Sequence, residues 1–282
     1  MRNSTSFLIL LFCFLATSFV QASDSLLLMS GAAAAPVIEE IARAFTQKTG
    51  IKVELSIGSS GMLLSQIKLG QKGDLYFPAS SDFIEKALQE GLIVENTVRP
   101  VVYLVPAVCV ARGNPKNITG LADLARPGLK IALAQPETVA VGVAGVEMIE
   151  KCLTADQKAA LRKNIVAYCQ NVEKTANALI LNTVDAVIAW SVIENWKPEK
   201  IQALPPKPEE IVRISNLTIA VTRYAKKPEL AQSFIDFMTS PEGLKYFENY
   251  KYFTSPAQAF EYVGAEKPVN GEIFKIPADW LK

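Results

Sequence analysis

Two serine-containing turns in the first sixty residues are the strongest candidates for chemistry. One is Ser-Gly-Ala-Ala-Ala-Ala-Pro at 30–36, after the apolar run at 26–29, and the other is Gly-Ser-Ser-Gly at 58–61, after the run at 51–57. Each turn precedes a helical pattern, and the N–H groups at a helix start are unpaired and favour negative charge. If the two helix starts face each other, their N–H groups and serine hydroxyls would bind an anion without a cationic side chain.

The composition excludes several other kinds of chemistry. The chain has no histidine in 282 residues, so it cannot build Ser-His-Asp or Cys-His catalysis or a histidine-containing zinc site. The Gly-Ser-Ser-Gly turn also lacks the spacing of a nucleophile elbow. Lys and Arg number 29 against 28 Asp and Glu, which gives no reason to expect nucleic acid or an acidic membrane surface as a partner. We therefore expect a binding protein without a cofactor rather than an enzyme, with its anion selectivity in a local site.

Residues 1–22 have the pattern of a secretory signal peptide. Arg2 supplies a positive charge, residues 7–15 are apolar, and Val20-Gln21-Ala22 places small residues before a cleavage site. This pattern predicts a mature chain that starts at Ser23, in the periplasm or another extracytoplasmic compartment. The alternative is an N-terminal membrane anchor, for which the apolar run is short.

Three cysteines remain after the signal sequence. Cys152 and Cys169 end two consecutive helical patterns, at 143–153 and 156–168, and an oxidising compartment permits a disulfide between them. The alternative is two buried free thiols. Cys109 lies in an apolar run typical of a buried strand and is left without a partner.

Strand and helix patterns alternate along the chain, which predicts an α/β fold with mainly parallel sheets. The apolar run at 101–111 is long for one strand and contains Pro106, so we interpret it as the passage from one lobe to another. The pattern places residues 23–107 and 217–282 in lobe 1 and residues 108–216 in lobe 2. Two crossovers make a hinge, and the central cleft between the lobes is the expected ligand site.

A series of motifs follows the two serine turns along the chain. They are GDLYFPAS at 73–80, ARGNP at 111–115, LADLARPG at 121–128, AQPETV at 134–139 and FIDFMTSPEG at 234–243. In this order, and over nearly the whole mature chain, the motifs resemble the solute-binding proteins of molybdate and tungstate ABC importers, although the last motif is shared by many two-lobed binding proteins. The resemblance implies a type II periplasmic binding protein fold, a tetrahedral oxyanion as ligand, a permease in the inner membrane as partner, and a monomer.

The resemblance also implies the residues of the site. In that family serine hydroxyls and backbone N–H groups hold the oxyanion, without Lys or Arg and without a side chain coordinating the metal. Carried over to this sequence, the ligand-binding residues are Ser30, Gly31, Ser59, Ser60, Ala79, Val139, Trp190 and Ser191. The sequence does not decide which of Ser59 and Ser60 contacts the ligand. Trp190 stands where the family usually has a tyrosine, so the indole N–H or the Ser191 hydroxyl would have to replace the tyrosine hydroxyl.

Two other kinds of function stay open at this point. A two-lobed binding protein could take another solute, such as sulfate, phosphate, ferric iron or a small organic anion. A secreted enzyme could use Ser59 as a nucleophile, although the absence of histidine argues against it.

Overall fold

The computed structural model describes residues 24–281 and places them on two β-sheets. The predicted signal peptide lies outside the described residues, and within 24–281 no helix combines the length and the apolar character needed to cross a bilayer. The first stretch of chain forms β1 (Ser25–Gly31), α1 (Ala35–Thr49), β2 (Lys52–Gly58), α2 (Ser60–Gly70), β3 (Leu75–Phe77), α3 (Ser81–Gln89) and β4 (Arg99–Leu104). The second forms β5 (Pro106–Ala111), β6 (Ile131–Ala134), α4 (Ala140–Cys152), α5 (Ala155–Asn164), β7 (Ile165–Cys169), α6 (Val172–Ile180), β8 (Ala186–Trp190) and β9 (Ile201–Ala203). The last forms β10 (Ser215–Val221), α7 (Pro228–Thr239), α8 (Pro241–Asn249) and α9 (Pro256–Val263).

Each sheet is the centre of one lobe. The first sheet has the order β2-β1-β3-β10-β4, and the second has the order β7-β6-β8-β5-β9. β1 is parallel to β2 and β3, and β6 is parallel to β7 and β8, while β10 and β5 run antiparallel to their neighbours. The predicted two-lobed α/β fold is therefore confirmed, but the sheets are mixed rather than mainly parallel, because β10 and β5 each pair antiparallel with both of their neighbours.

Helix α1 shows how the sequence sets these elements. Val37, Ile41 and Phe45 recur at helical spacing and are fully buried against the first sheet. Gly50 ends the helix with φ at +74° and donates its N–H to the Thr46 carbonyl, a left-handed conformation that glycine adopts without strain. The helix therefore ends at Gly50, and it begins at Ala35, shortly after β1 ends at Gly31.

The chain crosses between the lobes at residue 105. The apolar run at 101–111 is two strands rather than one, because β4 belongs to the first sheet and β5, which starts at Pro106, belongs to the second. The return follows β9 and ends at β10, back in the first sheet.

The end of the chain differs from the expected assignment of residues 217–282 to lobe 1. Ala259 and Val263 of α9, together with Trp280, are buried in the core of the second sheet. The Trp280 indole N–H donates to Glu150 of α4 at 2.8 Å, and the Arg162 guanidinium lies 4.3 Å from the centre of the Trp280 ring. These contacts hold the last residues against lobe 2.

The predicted disulfide between Cys152 and Cys169 is wrong, because both are free thiols in the described structure, as is Cys109. The helix predicted at 156–168 ends at Asn164, and the following residues form β7. Cys169 therefore lies at the carboxyl end of β7, where its carbonyl accepts a hydrogen bond from the Gln135 N–H. Helix α4 starts near the same edge and runs roughly 18 Å away from it to Cys152. A disulfide requires Cα atoms within about 7 Å, so the alternative of free thiols is the correct one.

Candidate ligand-binding site

A small cavity lies between the lobes where the parallel strands of both sheets end and helices begin. It encloses about 210 Å³ of space free of protein atoms, part of it open to solvent. The enclosed part of this space is small, so the cavity is too narrow for a drug-sized molecule. We call it the cleft cavity, and its walls are formed by Ala32, Ala33, Gly58, Ser59, Ser60, Ala79, Val139, Ala140, Val141, Asn171, Val172 and Trp190.

Both serines of the Gly-Ser-Ser-Gly turn line the cleft cavity, and they differ in what their hydroxyls do. Ser59 is the N-cap residue of α2, yet its hydroxyl caps no N–H of the helix and has no hydrogen-bond partner within the described residues. The Ser60 hydroxyl accepts the Ala79 N–H at 3.1 Å, which leaves its own hydrogen free to donate. The Ser60 carbonyl accepts the Tyr76 hydroxyl at 2.8 Å, which holds the turn in place.

The other wall of the first lobe is made of alanines. Ala32 and Ala33 open a 3-10 turn, Ala32–Ala34, that joins β1 to α1. No acceptor for their N–H groups is present among the described residues, which is usual for the first positions of a helical segment. Ala79 contributes its methyl group only, because its N–H is already bonded to Ser60.

The second lobe contributes two further helix starts. The Val139 N–H donates to the Gln135 carbonyl at 2.9 Å, so the predicted donor at this position is already paired. The next two N–H groups, of Ala140 and Val141, have no acceptor in the described chain and open α4. Asn171 caps α6 by accepting the Lys174 N–H at 2.8 Å, and its side-chain amide remains available to donate.

Trp190 closes the cavity at the end of β8. Its side chain is buried, and its indole N–H donates to no protein acceptor in the described residues. Ser191, the next residue, does not line the cavity. Burial raises the pKa of Tyr262 of α9 to about 12, and the Ser191 hydroxyl counteracts part of this rise. Of the two candidate replacements for the tyrosine of the family, the structure therefore brings the indole into the cavity and leaves Ser191 outside it.

Ser30 and Gly31 also lie outside the lining. Ser30 is fully buried in β1 between β2 and β3, and its hydroxyl approaches only the Gly31 carbonyl, at 3.4 Å. Gly31 is covered by Ala79, whose nitrogen lies 3.0 Å from the position that a Cβ on Gly31 would take. The structure thus brings five predicted residues into one cavity, namely Ser59, Ser60, Ala79, Val139 and Trp190.

Sequence reasoning missed the other lining residues, which are Ala32, Ala33, Gly58, Ala140, Val141, Asn171 and Val172. The alanines and Val141 act through backbone N–H groups, which leave no mark in the side-chain pattern. Asn171 had a usable signal, because Asn is a preferred N-cap residue, but it was missed since the preceding strand β7 was interpreted as helix.

The cleft cavity has no charged side chain in its lining. The N-terminal ends of α2, α4 and α6 and the turn before α1 all meet there, and each helix start carries a partial positive charge. Within the described part of the chain, no group of three or more His, Cys, Asp and Glu side chains could hold a metal ion. The lining of the cavity therefore combines neutral hydrogen-bond donors with the positive ends of helices and contains no charged side chain.

The two lobes touch beside this cavity. The Gly61 N–H of α2 donates to the Thr138 carbonyl of the second lobe at 2.8 Å. A Cβ on Gly61 would lie 2.9 Å from the Thr138 Cα, closer than real Cβ contacts allow. The described conformation is thus a closed one, in which glycine permits the approach of the lobes.

The chain belongs to the family of bacterial extracellular solute-binding proteins, whose sequence model matches residues 26–252. Proteins of this kind serve ABC transporters from outside the cytoplasm. The chain is 32% identical over 241 residues to a binding protein of Haemophilus influenzae, covering 83% of this chain and 92% of that protein.

Two further similarities concern proteins named for oxyanions. The molybdate-binding protein ModA of Rhodobacter capsulatus is 23% identical over 220 residues, covering 77% of this chain and 83% of that protein. The solved structure of the sulfate-binding protein SubI from Mycobacterium tuberculosis superposes with a TM-score of 0.76 at 18% identity, covering 88% and 94% of the two chains. The second similarity concerns the fold alone. The resemblance to molybdate-binding proteins that the motifs indicated is confirmed at the level of the family.

Proposed function

We propose that this protein captures a tetrahedral oxyanion, molybdate or tungstate, in the periplasm and delivers it to the permease of an ABC importer. The observation that carries the proposal is the uncharged cleft cavity, in which four helix starts and two serine hydroxyls meet. Such a set of hydrogen-bond donors would not stabilise a bound cation or a bound apolar solute.

The donors are sufficient for tight binding of a dianion. Hydrogen bonds to charged groups contribute roughly 1.5–3 kcal/mol each, and the cavity offers N–H groups from both lobes as well as the Ser59 and Ser60 hydroxyls. Five to seven such bonds would support sub-micromolar affinity after the costs of desolvation and closure, by an order-of-magnitude estimate. N–H groups can only donate hydrogen bonds, so a protonated anion would find acceptors for its O–H in the two serine hydroxyls but not in the N–H groups, and the cavity favours a fully ionised anion.

Size is the second basis of selectivity. Molybdate and tungstate are larger than sulfate and phosphate, and a cavity with fixed donors discriminates between anions by how well its donors reach all four oxygens. The lining consists largely of backbone groups at the starts of helices, which are more rigid than long side chains. The two hydroxyls and the Trp190 indole are the adjustable parts.

The same site gives no support to catalysis by Ser59. Its hydroxyl has no hydrogen-bond partner within the described residues, so no general base activates it.

The test is a comparison of molybdate, tungstate, sulfate and phosphate as sodium salts, by thermal shift and then by titration calorimetry. We expect molybdate and tungstate to raise the melting temperature and to bind with sub-micromolar Kd, and sulfate and phosphate to bind at least ten times more weakly. A larger effect of sulfate or phosphate would assign the site to that anion instead. If none of the four anions binds, the oxyanion proposal fails.

A further inference from the structure

A buried group of charged side chains lies behind the cleft cavity and is not part of its lining. The Arg213 guanidinium donates to both carboxylate oxygens of Asp82, at 2.9 and 2.8 Å, and its Nε donates to Glu147 at 2.7 Å. The exposed fractions of the Asp82, Glu147 and Arg213 side chains are 3%, 4% and 13%. We call these three residues the interlobe triad.

The interlobe triad joins three separate parts of the fold. Asp82 is in the first turn of α3 in the first lobe, and Glu147 is in the middle of α4 in the second lobe. Arg213 lies in the returning crossover, just before β10. One guanidinium therefore holds a carboxylate from each lobe at the hinge.

The charges of this group are balanced. The second oxygen of Glu147 pairs with Lys151 at 2.8 Å, so two carboxylates face two cations. An Arg that holds carboxylates in this forked geometry makes strong, directional bonds. Separating Asp82 from Arg213 would leave a buried carboxylate without a counter-ion, which is strongly unfavourable unless water reaches it. Separating Glu147 from Arg213 would cost less, because Glu147 would keep Lys151.

Helix α4 contributes one wall of the cleft cavity, and α3 starts two residues after Ala79, which lies in the opposite wall. Asp82 follows Ala79 by three residues, and Glu147 lies about two turns along α4 from Ala140 and Val141. In the described conformation, in which the lobes touch at Gly61 and Thr138, Arg213 bonds to both carboxylates. A movement that separated α3 from α4 would break at least one side of this arrangement.

We propose that Arg213 is a positioning residue for ligand binding, which stabilises the closed cleft and slows release of the anion by holding Asp82 of one lobe and Glu147 of the other. Arg213 does not touch the ligand. The part of the inference that concerns ligand release rests on the proposed oxyanion function. The part that concerns closure does not, because closure of the lobes is measurable without any ligand.

The first experiment compares Arg213→Lys and Glu147→Gln with the wild-type protein, using sodium molybdate as the probe. Lys keeps the charge and loses the fork, and Gln keeps the shape of Glu147 and loses its charge. We expect the Kd for molybdate to rise about ten-fold or more in each variant, with the change in the dissociation rate measured by stopped-flow tryptophan fluorescence. The matched control is Arg112→Lys, because Arg112 pairs with Glu194 at 2.8 Å inside the second lobe alone, and its Kd should equal that of the wild type.

A structural role without a role in closure gives a different result. It lowers the melting temperature of the ligand-free and molybdate-bound protein by the same amount and leaves Kd unchanged, and that outcome overturns the inference. Asp82→Asn combined with Glu147→Gln adds a double-mutant cycle, in which the two effects on Kd should be strongly non-additive because both act through Arg213.

Small-angle X-ray scattering of the ligand-free proteins separates this inference from the proposed function. We expect a larger radius of gyration for Arg213→Lys than for the wild type and no change for Arg112→Lys. If the wild type binds no oxyanion, the proposed function fails while the scattering comparison still decides the role of Arg213. Equal radii for the wild type and Arg213→Lys would overturn the inference.

Discussion

Ser59 occupies an N-cap position, where a serine hydroxyl usually accepts a hydrogen bond from an N–H group of the helix. Here that hydroxyl bonds to nothing in the described residues and faces the cleft cavity. Ser59→Ala should therefore weaken anion binding by about 10- to 100-fold, the loss of one hydrogen bond to a charged group. Titration calorimetry with molybdate measures the change, and the melting temperature of the ligand-free protein should hardly move because no cap is lost.

Ser30→Ala is the matched control for this prediction. Ser30 is a buried serine at the end of the neighbouring strand, outside the cavity lining, so its removal should leave Kd within about two-fold of the wild type. The reverse pattern, with a strong effect of Ser30→Ala and none of Ser59→Ala, would contradict the arrangement of the site.

Trp190 supplies the second prediction at the scale of the residue. The indole lines the cavity and its N–H has no protein acceptor among the described residues, so a bound anion should accept from it and change its emission. Molybdate should alter the tryptophan fluorescence of the wild type, and Trp190→Phe should abolish this change and raise Kd several-fold. Trp196→Phe should retain the fluorescence response, because Trp196 does not line the cavity.

The sequence predicted the site best where side chains carry the signal. The Gly-Ser-Ser-Gly turn was recognisable because serines follow a strand and precede a helix. The motif predicts Ser30 in the site, but Ala32 and Ala33, which follow Ser30 by two and three residues, line the cavity instead. A shift of one or two residues at the end of a strand decides whether a side chain faces the core or the cleft, and motif order cannot resolve it.

At the scale of the element, β7 shows why the disulfide prediction failed. The residues of β7 follow α5 with no Gly or Pro between them, so nothing in the sequence marks the end of the helix. The strand is half-exposed at the edge of the second sheet, and its alternation of apolar residues is weak. If these residues are predicted as helix instead of strand, the predicted chain runs in the wrong direction before Cys169. Two cysteines that are far apart are then predicted to be close together.

The free thiols are directly testable. The denatured mature protein, purified without reductant, should take up three alkyl groups when treated with iodoacetamide, as measured by mass spectrometry. In the native protein Cys109 should react slowest, because it is fully buried and burial raises the pKa of its thiol. Uptake of a single alkyl group by the denatured, unreduced chain, rising to three after reduction, would restore the disulfide.

At the scale of the whole molecule, the two lobes and their α/β layers were predictable because alternating strand and helix patterns define them, whereas the antiparallel placing of β5 and β10 in the sheets was not. The attachment of the last residues to lobe 2 was not. It depends on Trp280 meeting Glu150 and Arg162, residues more than one hundred positions earlier. Contacts between residues so far apart in the chain leave no periodic pattern in the sequence. The elements and their order are therefore predictable, but the packing of a terminal segment is not.

Closure of the two lobes is a property of the whole molecule, and adding one carbon atom where the lobes meet can test it. Gly61 of α2 donates to the Thr138 carbonyl across the cleft, and an added Cβ would lie 2.9 Å from the Thr138 Cα and 3.1 Å from the Phe83 ring. Gly61→Ala should therefore hold the lobes apart and raise the Kd for molybdate at least ten-fold, while alanine, the better helix former, keeps α2 intact. Gly70→Ala is the control at the other end of the same helix, where the new methyl group would meet only the flexible Lys72 side chain. Because the clash is between lobes, scattering should show a larger radius of gyration for Gly61→Ala in saturating molybdate than for the Gly70→Ala variant. Equal Kd values for the two variants would mean that the lobes do not have to meet at Gly61 for the anion to be held.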